Sequence, residues 1–325
     1  MKTLFDGARI GSLSLQNRLI RSAVADKTFD GYVDESMIDT YEKLASAGVG
    51  AIITGATLVD GEEKLLPIAT LCSDSFVPGH RKLVGAVHKY DVRIIAQLAY
   101  IGSYTATGDY GGLITLAPSP VPNLLTGTQS REMRLGEIKL IQKKFADAAL
   151  RAKNAGYDAV EIHCAHSLLL SQFLTPHYNR RTDDYGGPIE NRARMITETY
   201  FAIRKATGYD FPVWVKINST DGIDDGIDED DVMCLCGLLT KAGVEAIEVS
   251  GNFTPARFKP GPYFRDAAER IADENNVTVV LTGGNRKFSD MTAMLNTTNV
   301  HFFGMARPFI REPKLMERFR REAEI

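Results

Sequence analysis

The sequence is poor in the features that mark several protein classes. Its four cysteines, Cys72, Cys164, Cys234 and Cys236, lack the spacing of a zinc or iron–sulfur site, so they are expected to be reduced core thiols. No apolar run approaches the roughly 18 residues of a transmembrane helix. The first ten residues carry charge and lack the apolar segment of a signal peptide. The sequence therefore predicts a soluble, cytoplasmic protein.

Clustered charge of one sign is also lacking. The net charge is −3, and acidic and basic residues are interleaved along the chain. A surface for nucleic acid or for an anionic membrane needs clustered Lys and Arg, so neither partner is expected. The expected partner is a small-molecule substrate, and homo-oligomerisation is left open.

Short β-branched runs alternate with amphipathic helical stretches, which indicates βαβ units and a parallel sheet. The predicted strands are residues 18–24, 51–54, 93–98, 159–163, 213–217, 244–250, 278–282 and 301–305. The helical patterns include residues 35–47, 78–90, 135–155, 191–207, 229–242 and 289–295. Eight strands favour an α/β fold of the (β/α)8 TIM-barrel type, as one domain over residues 1–325. An open doubly wound sheet remains the alternative, because periodicity does not give strand order.

Two long loops follow the third and fourth predicted strands. They cover residues 100–134 and 168–188, and loops of this length in a compact domain are usually functional. In a barrel both would lie at the C-terminal face, where active sites form.

His163 and His166 stand three apart at the end of the fourth predicted strand. Imidazole N–H groups can donate to a carbonyl oxygen that gains negative charge in a transition state. Carbonyl or anion binding is favoured. A metal site, for which no further ligand spacing is recognisable, and a buried structural pair are the alternatives.

Small residues follow the last two strands. Gly283 and Gly284 come after the seventh, and Ala306 and Arg307 come after the eighth. Such residues let backbone N–H groups approach a phosphate, which barrels often bind between these two loops. The guanidinium of Arg307 suits a dianion. The alternative is that the glycines only form turns.

Two polar residues end apolar strands. The carboxamide of Gln97 could pair with the donors and acceptors of a heterocycle. Lys216 could neutralise a bound cofactor or act as a Schiff-base nucleophile. Each could instead be a partly buried structural residue.

Several motifs resemble those of old yellow enzyme-type flavin oxidoreductases. They are Asn17-Arg18 with Ser22, Gln97-Leu98, His163-x-x-His166, Ser171-Gln-Phe-Leu-Thr-Pro176, the block 179–192 and the segment 304–313. The resemblance extends from about residue 3 to residue 320. It implies an FMN-containing barrel that takes hydride from NADH or NADPH and delivers it to an electron-poor alkene.

The same resemblance implies roles for individual residues. His163 and His166 would hold the carbonyl oxygen of the substrate. Gln97 would pair with the pyrimidine edge of the flavin, and Lys216 would lie near flavin N1. The remaining implied cofactor contacts are Ser22, Ala23, Val24, Ala25 and Ala56 at the ring, and Gly283, Gly284, Ala306 and Arg307 at the phosphate.

The chain departs from the family pattern around the substrate. Leu168 replaces the tyrosine that donates a proton in many members, which leaves Tyr100, Tyr104, Tyr110 or water as candidate donors. Other departures are Tyr100 for a histidine, Ser103 for an arginine, Ala23 for a proline and Ala25 for a cysteine or threonine. Two alternatives therefore stand beside alkene reduction: an FMN-dependent amine dehydrogenase or demethylase, and a flavin-free Schiff-base barrel using Lys216.

Overall fold

A closed parallel barrel forms the centre of the molecule. The computed structural model describes residues 1–61, 67–104, 115–251 and 261–324, and within them eight strands pair in sequence order, with the last pairing to the first. These strands are β1 Leu19–Arg21, β2 Ala51–Ile53, β3 Arg93–Ala99, β4 Ala159–Cys164, β5 Val213–Asn218, β6 Ala246–Ser250, β7 Thr278–Thr282 and β8 Phe302–Met305. The predicted barrel is confirmed, and the open sheet is wrong.

A helix follows each barrel strand. The helices are α1 Glu35–Ser46, α2 Val77–His88, α3 Leu135–Ala155, α4 Arg194–Thr207, α5 Glu229–Ala242, α6 Arg265–Asn275, α7 Phe288–Thr297 and α8 Leu315–Ala323. Their ends carry recognisable signals: the Asp34 carboxylate accepts from the Met37 N–H at the start of α1, and Gly156 ends α3 with a φ of 98°. The predicted helical patterns did not include α6 and α8. None of the helices within the described residues is long and apolar enough to span a membrane.

The barrel interior changes character along its axis. At the amino end, Trp214, Val280 and Phe302 form an apolar cluster with Ile10 and Leu15. The last two residues belong to a hairpin, Ala8–Ile10 with Leu13–Leu15, which packs against this end. Buried polar side chains lie further toward the carboxyl ends of the strands: Gln97, Glu161, Lys216, Glu248 and Thr282. The buried polar side chains that could take part in a reaction therefore lie toward the carboxyl end of the barrel.

The block 179–192, which carries much of the family resemblance, holds the two long loops together. Asn179 donates to the carbonyls of Phe173 and Tyr185 at 2.6 and 2.7 Å. Buried Arg181 donates to the carbonyl oxygens of Pro118 and Met133 at 3.0 and 2.7 Å. Both of these residues belong to the long loop after β3. These contacts give the block a structural role.

We expect stability to fall in acid partly through His80. Its ring is buried between the Tyr157 hydroxyl (2.8 Å) and the Thr70 carbonyl (3.2 Å), and burial lowers its pKa to about 4. Between pH 6.5 and 4 the unfolded chain binds a proton that the folded chain does not. The contribution of neutral His80 to the free energy of unfolding is therefore fully present above pH 6.5. It decreases by up to about 1.4 kcal/mol per pH unit as the pH falls from 6.5 to 4. Urea unfolding measures the free energy of unfolding at pH 7 and pH 5. The difference between these two values should be smaller for His80→Gln than for the unsubstituted protein. An equal difference would contradict this account.

Candidate active site

A cavity of about 590 Å³ opens at the carboxyl end of the barrel. Loops after β1, β4, β6, β7 and β8 surround it, and Lys216 of β5 also lines it. Eight of the residues predicted from the sequence line this cavity: Ala23, Val24, His166, Lys216, Gly283, Gly284, Ala306 and Arg307.

The other predicted residues lie outside this lining. Ser22 and Gln97 are buried inside the barrel, where the Gln97 amide donates to Glu161 Oε1 at 2.7 Å. His163 is also buried, with its ring centroid 5.1 Å from that of His166. Ala25 is exposed to solvent, and Ala56 packs against an apolar cluster.

The loop after β1 is tied to its neighbours by a buried polar cluster. Tyr41 of α1 donates to Asp26 Oδ2, and Arg21 lies 3.7 Å from Asp26 Oδ1. The Gly55 N–H donates to the Tyr41 hydroxyl at 2.9 Å, and a side chain at Gly55 would lie 2.2 Å from the Val24 carbonyl. These contacts hold Ala23 and Val24 at the cavity and end β1 at Arg21, earlier than predicted.

The two histidines are neutral bases at ordinary pH. Burial and the neighbouring His166 and Lys216 hold the pKa of His163 well below its usual value, and burial and Lys216 lower that of His166 to about 3. The Ala165 N–H donates to His163 Nδ1 at 3.2 Å, which leaves the ring proton of neutral His163 on Nε2. His166 Nε2 lies 3.1 Å from the Ser250 hydroxyl. His166 has a φ of 60° and Ser167 a φ of 59°, so the turn that presents the second histidine is strained.

An aromatic pair that was not predicted covers the glycines after β7. Gly283 and Gly284 have φ values of 120° and 80°, and the Tyr263 N–H donates to the Gly283 carbonyl at 3.0 Å. A side chain at Gly284 would lie 1.8 Å from the Gly261 carbonyl, and one at Gly283 would lie 2.7 Å from the Phe264 ring. The glycines therefore allow residues 261–264 to pack closely. Tyr263 and Phe264 precede a helix that the sequence pattern did not reveal.

Positive charge gathers at the outer end of the cavity. Exposed Arg286, Arg307 and Arg311 line it, and so does Arg318, which forms an ion pair with Glu312 at 2.8 Å. The side-chain amide oxygen of buried Asn285, Oδ1, has no hydrogen-bond partner within the described part of the chain. This end has the chemistry of an anion site.

Lys216 is engaged by a carboxylate. Its ammonium lies 3.2 Å from Glu248 Oε2, and both side chains are buried. A Schiff-base nucleophile needs a free amine, so this ion pair argues against the flavin-free alternative. The described residues contain no group of three or more His, Cys, Asp or Glu that could hold a metal ion.

Leu168 belongs to an apolar cluster at the barrel mouth. It packs with Leu58, Ala99 and Ile101, and Tyr104 and Ala56 border the cluster. Tyr100 instead packs in the main core of the protein. Tyr110, another proposed proton donor, lies outside the described residues. Tyr104 is therefore better placed than Tyr100 to act beside Leu168.

The comparisons with known proteins identify the family of the chain. Residues 3–324 match the NADH:flavin oxidoreductase / NADH oxidase family. The chain belongs to this family. It is 34% identical over 324 residues to an NADH oxidase of Thermoanaerobacter brockii, a match that covers 96% of this chain and 50% of that protein. An NADPH dehydrogenase of Geobacillus sp. (strain WCH70) is 31% identical, over 95% of this chain and 91% of that one.

The structure is similar to that of morphinone reductase, with a TM-score of 0.84 and 26% identity over 98% of this chain and 90% of the other. The resemblance to old yellow enzymes is thus confirmed, and the family to which the chain belongs is one of flavin oxidoreductases that use FMN and a nicotinamide donor. The chain spans about half the length of the NADH oxidase.

The cavity fits FMN in its chemical composition. It combines an apolar wall at Ala23 and Val24, a lysine at its base, exposed backbone at Gly283 and Gly284, and arginines at its outer end. A flavin ring needs the first two features, and a phosphate needs the others.

We expect Gly284→Ala to damage the cavity. The new side chain would meet the Gly261 carbonyl and adopt a left-handed conformation, which should destabilise the fold by about 1–3 kcal/mol and weaken FMN binding about tenfold or more. Gly136→Ala is the matched control, because no atom lies within 4 Å of its added carbon and alanine favours a helix. Thermal unfolding and absorbance titration with FMN measure both effects. Equal behaviour of the two variants would refute the steric argument.

Proposed function

We propose that this protein uses FMN and NADH or NADPH to reduce an alkene conjugated to a carbonyl group. The observation that carries the proposal is the pair of neutral histidines at the carboxyl end of the barrel, one of them with its proton on Nε2. Morphinone reductase, a structural neighbour, supports this substrate class because its name denotes a reductase that acts on morphinone.

The cofactor would be held by the residues that the resemblance implies. Ala23 and Val24 would contact the ring, Lys216 would donate to its polar edge, and Gly283, Gly284, Ala306 and Arg307 would bind the phosphate. Four implied contacts, Ser22, Gln97, Ala25 and Ala56, are less direct. Ser22 and Gln97 are buried inside the barrel, Ala25 is exposed, and Ala56 packs against the Leu168 cluster. When bound, FMN supplies hydride transfer between the nicotinamide and the substrate.

The protein side chains would orient and polarise the substrate. His163 and His166 would donate to the carbonyl oxygen, and neutral imidazoles can do so without repelling the neighbouring Lys216. His166 must exchange its Ser250 partner for the substrate to do this. Leu168 would present an apolar surface where other family members offer a tyrosine, so Tyr104 or water would supply the proton to the α-carbon.

Anaerobic stopped-flow mixing tests this function. We expect NADH or NADPH to reduce the bound flavin, and an enone to reoxidise it. Reduction by an amine such as N,N-dimethylglycine, with no reduction by either nicotinamide, would favour the dehydrogenase alternative. A colourless protein that does not take up added FMN would exclude both.

Substitution of the histidines should weaken phenol binding. A phenolate oxygen resembles the negative oxygen that the pair would stabilise, so His163→Ala and His166→Ala should each lower phenol affinity about tenfold or more, with FMN retained. Charge-transfer absorbance measures the affinity. His301→Ala is the control, because His301 lies just before β8 at the amino end of the barrel. Unchanged affinity in both site variants would refute the carbonyl clamp.

A tyrosine at position 168 should increase turnover of an enone. General acid catalysis contributes about 10²–10⁴-fold, so a recovery of about tenfold is expected from Leu168→Tyr even if its geometry is imperfect. Leu168→Phe is the matched control, because it adds the same ring to the cluster without the hydroxyl. Equal turnover of the two variants would mean that protonation does not limit the reaction.

A further inference from the structure

Two fully buried glutamates lie next to Lys216. Glu161 of β4 and Glu248 of β6 are both 0% exposed, and the Oε2 atom of each has no hydrogen-bond partner within the described residues. The other oxygen of each is satisfied: Glu161 Oε1 accepts from Gln97 at 2.7 Å, and Glu248 Oε1 accepts from Thr282 at 2.6 Å. A buried carboxylate oxygen without a donor is costly, and one proton on the pair would supply a donor on one carboxyl group for an acceptor on the other.

The charges around the pair favour one proton. The groups facing it are Gln97 of β3, Cys164 of β4, His166 after β4, Lys216 of β5, Thr282 of β7 and Ser22 after β1. Among these described residues Lys216 is the cation, and both histidines are neutral. Two ionised carboxylates would therefore leave one buried negative charge without compensation, which is costly in a dry interior.

The two carboxyl groups differ in their surroundings. Burial and the charge of Glu248 raise the pKa of Glu161 well above its usual value. Burial alone would do the same for Glu248, but Lys216, the neighbouring Glu161 carboxyl group and the Thr282 and Ser22 hydroxyls hold its pKa below the usual value. Lys216 Nζ lies 3.2 Å from Glu248 Oε2, and within the described residues Lys216 forms no ion pair with Glu161.

Hydroxyl groups connect the pair to the cavity. Thr282 lines the cavity and donates to Glu248, and its oxygen lies 2.9 Å from the Ser22 hydroxyl. Gly304 leaves room for this arrangement, because a side chain there would lie 1.9 Å from Thr282 Oγ1 and 2.3 Å from Ser22 Oγ. The charge of the pair thus acts directly beneath the cavity.

We propose that Glu161 is a neutral acid whose O–H donates a hydrogen bond to Glu248, and that ionised Glu248 is the counter-ion of Lys216. The base of the cavity then carries no net charge. Lys216 offers N–H donors to a bound cofactor, while Glu248 cancels most of its electrostatic pull on negative charge. Both glutamates are positioning residues for the proposed cofactor site, and the part of the proposal that concerns the flavin rests on the proposed function.

Infrared spectroscopy of the protein tests the shared proton without reference to activity or cofactor. At pH 7 we expect the C=O band of a buried protonated carboxylic acid, which is absent from Glu161→Gln. That variant should fold normally, because the substituted amide can still accept from Gln97 and donate to Glu248. Glu198→Gln is the control: Glu198 pairs with Lys139, and hydrogen bonds from Lys139, Tyr185 and Gln142 outweigh its burial and lower its pKa, so the band should persist. Absence of the band from the unsubstituted protein, or its persistence in Glu161→Gln, would overturn the proposal.

The midpoint potential of bound FMN tests the charge assignment. Removal of a neutral acid changes no charge, so Glu161→Gln should leave the potential unchanged. Glu248→Gln removes a negative charge and should shift the potential upward, because the uncompensated Lys216 favours the reduced, more negative cofactor. An upward shift of similar size in Glu161→Gln would show that both glutamates are ionised and would overturn the proposal.

Glu248→Gln leaves a buried ammonium without its partner and could prevent folding. The infrared and potential measurements on Glu161→Gln decide the proposal without it. Failure of the protein to bind FMN would count against the proposed function, whereas the infrared result would still decide the shared proton.

Discussion

The hydrogen-bonded seam between β8 and β1 is the constraint on which the site depends. The Phe303 N–H donates to the Arg18 carbonyl at 3.0 Å, and the Ser22 N–H donates to the Met305 carbonyl at 3.0 Å. The cavity lies across this seam, with Ala23 and Val24 on one side and Ala306 and Arg307 on the other. Residues from opposite ends of the sequence therefore form one wall only when the barrel is closed.

Closure also explains the division of the barrel interior. In a closed parallel barrel every second side chain points inward, and the interior must be filled. Trp214 and Lys216 are two residues apart on β5. Trp214 therefore contributes to the apolar cluster at the amino end of the barrel, and Lys216 reaches the cavity. Polar groups at the carboxyl end then need partners from neighbouring strands. The contacts of Lys216 with Glu248 and of Gln97 with Glu161 supply them.

Much of this architecture could be predicted from local pattern. The β-branched runs gave the strands to within a few residues, and the loop residues after β7 and β8 met at the cavity as expected. The directions of individual side chains were harder to predict. Tyr100 was a candidate proton donor, but it packs in the core, because the residue after a strand can turn to either side.

The glutamate pair was missed for a different reason. Glu161 and Glu248 are 87 positions apart, and each stands within a strand of apolar neighbours. Nothing in either segment reveals that β4, β5 and β6 bring both carboxyl groups to one lysine. Likewise, Tyr263 and Phe264 reach the cavity only because two glycines in a distant loop leave space for their rings. Such partners depend on tertiary packing, which periodicity does not encode.

Three departures from the family pattern, Tyr100, Ser103 and Leu168, lie in the loops after β3 and β4, and two, Ala23 and Ala25, follow β1. The residues expected at the phosphate and at the base of the ring are present, and the block that joins the long loops is intact. In contrast, Leu168 would make the substrate side apolar where the family resemblance implies a hydroxyl. A site that keeps its anion-binding residues but loses a polar group beside the histidines retains the requirements of cofactor binding. Under the proposed function, selectivity for substrates would then depend on shape and apolar contact around Leu168 more than on hydrogen bonds, because the histidines would recognise only an oxygen.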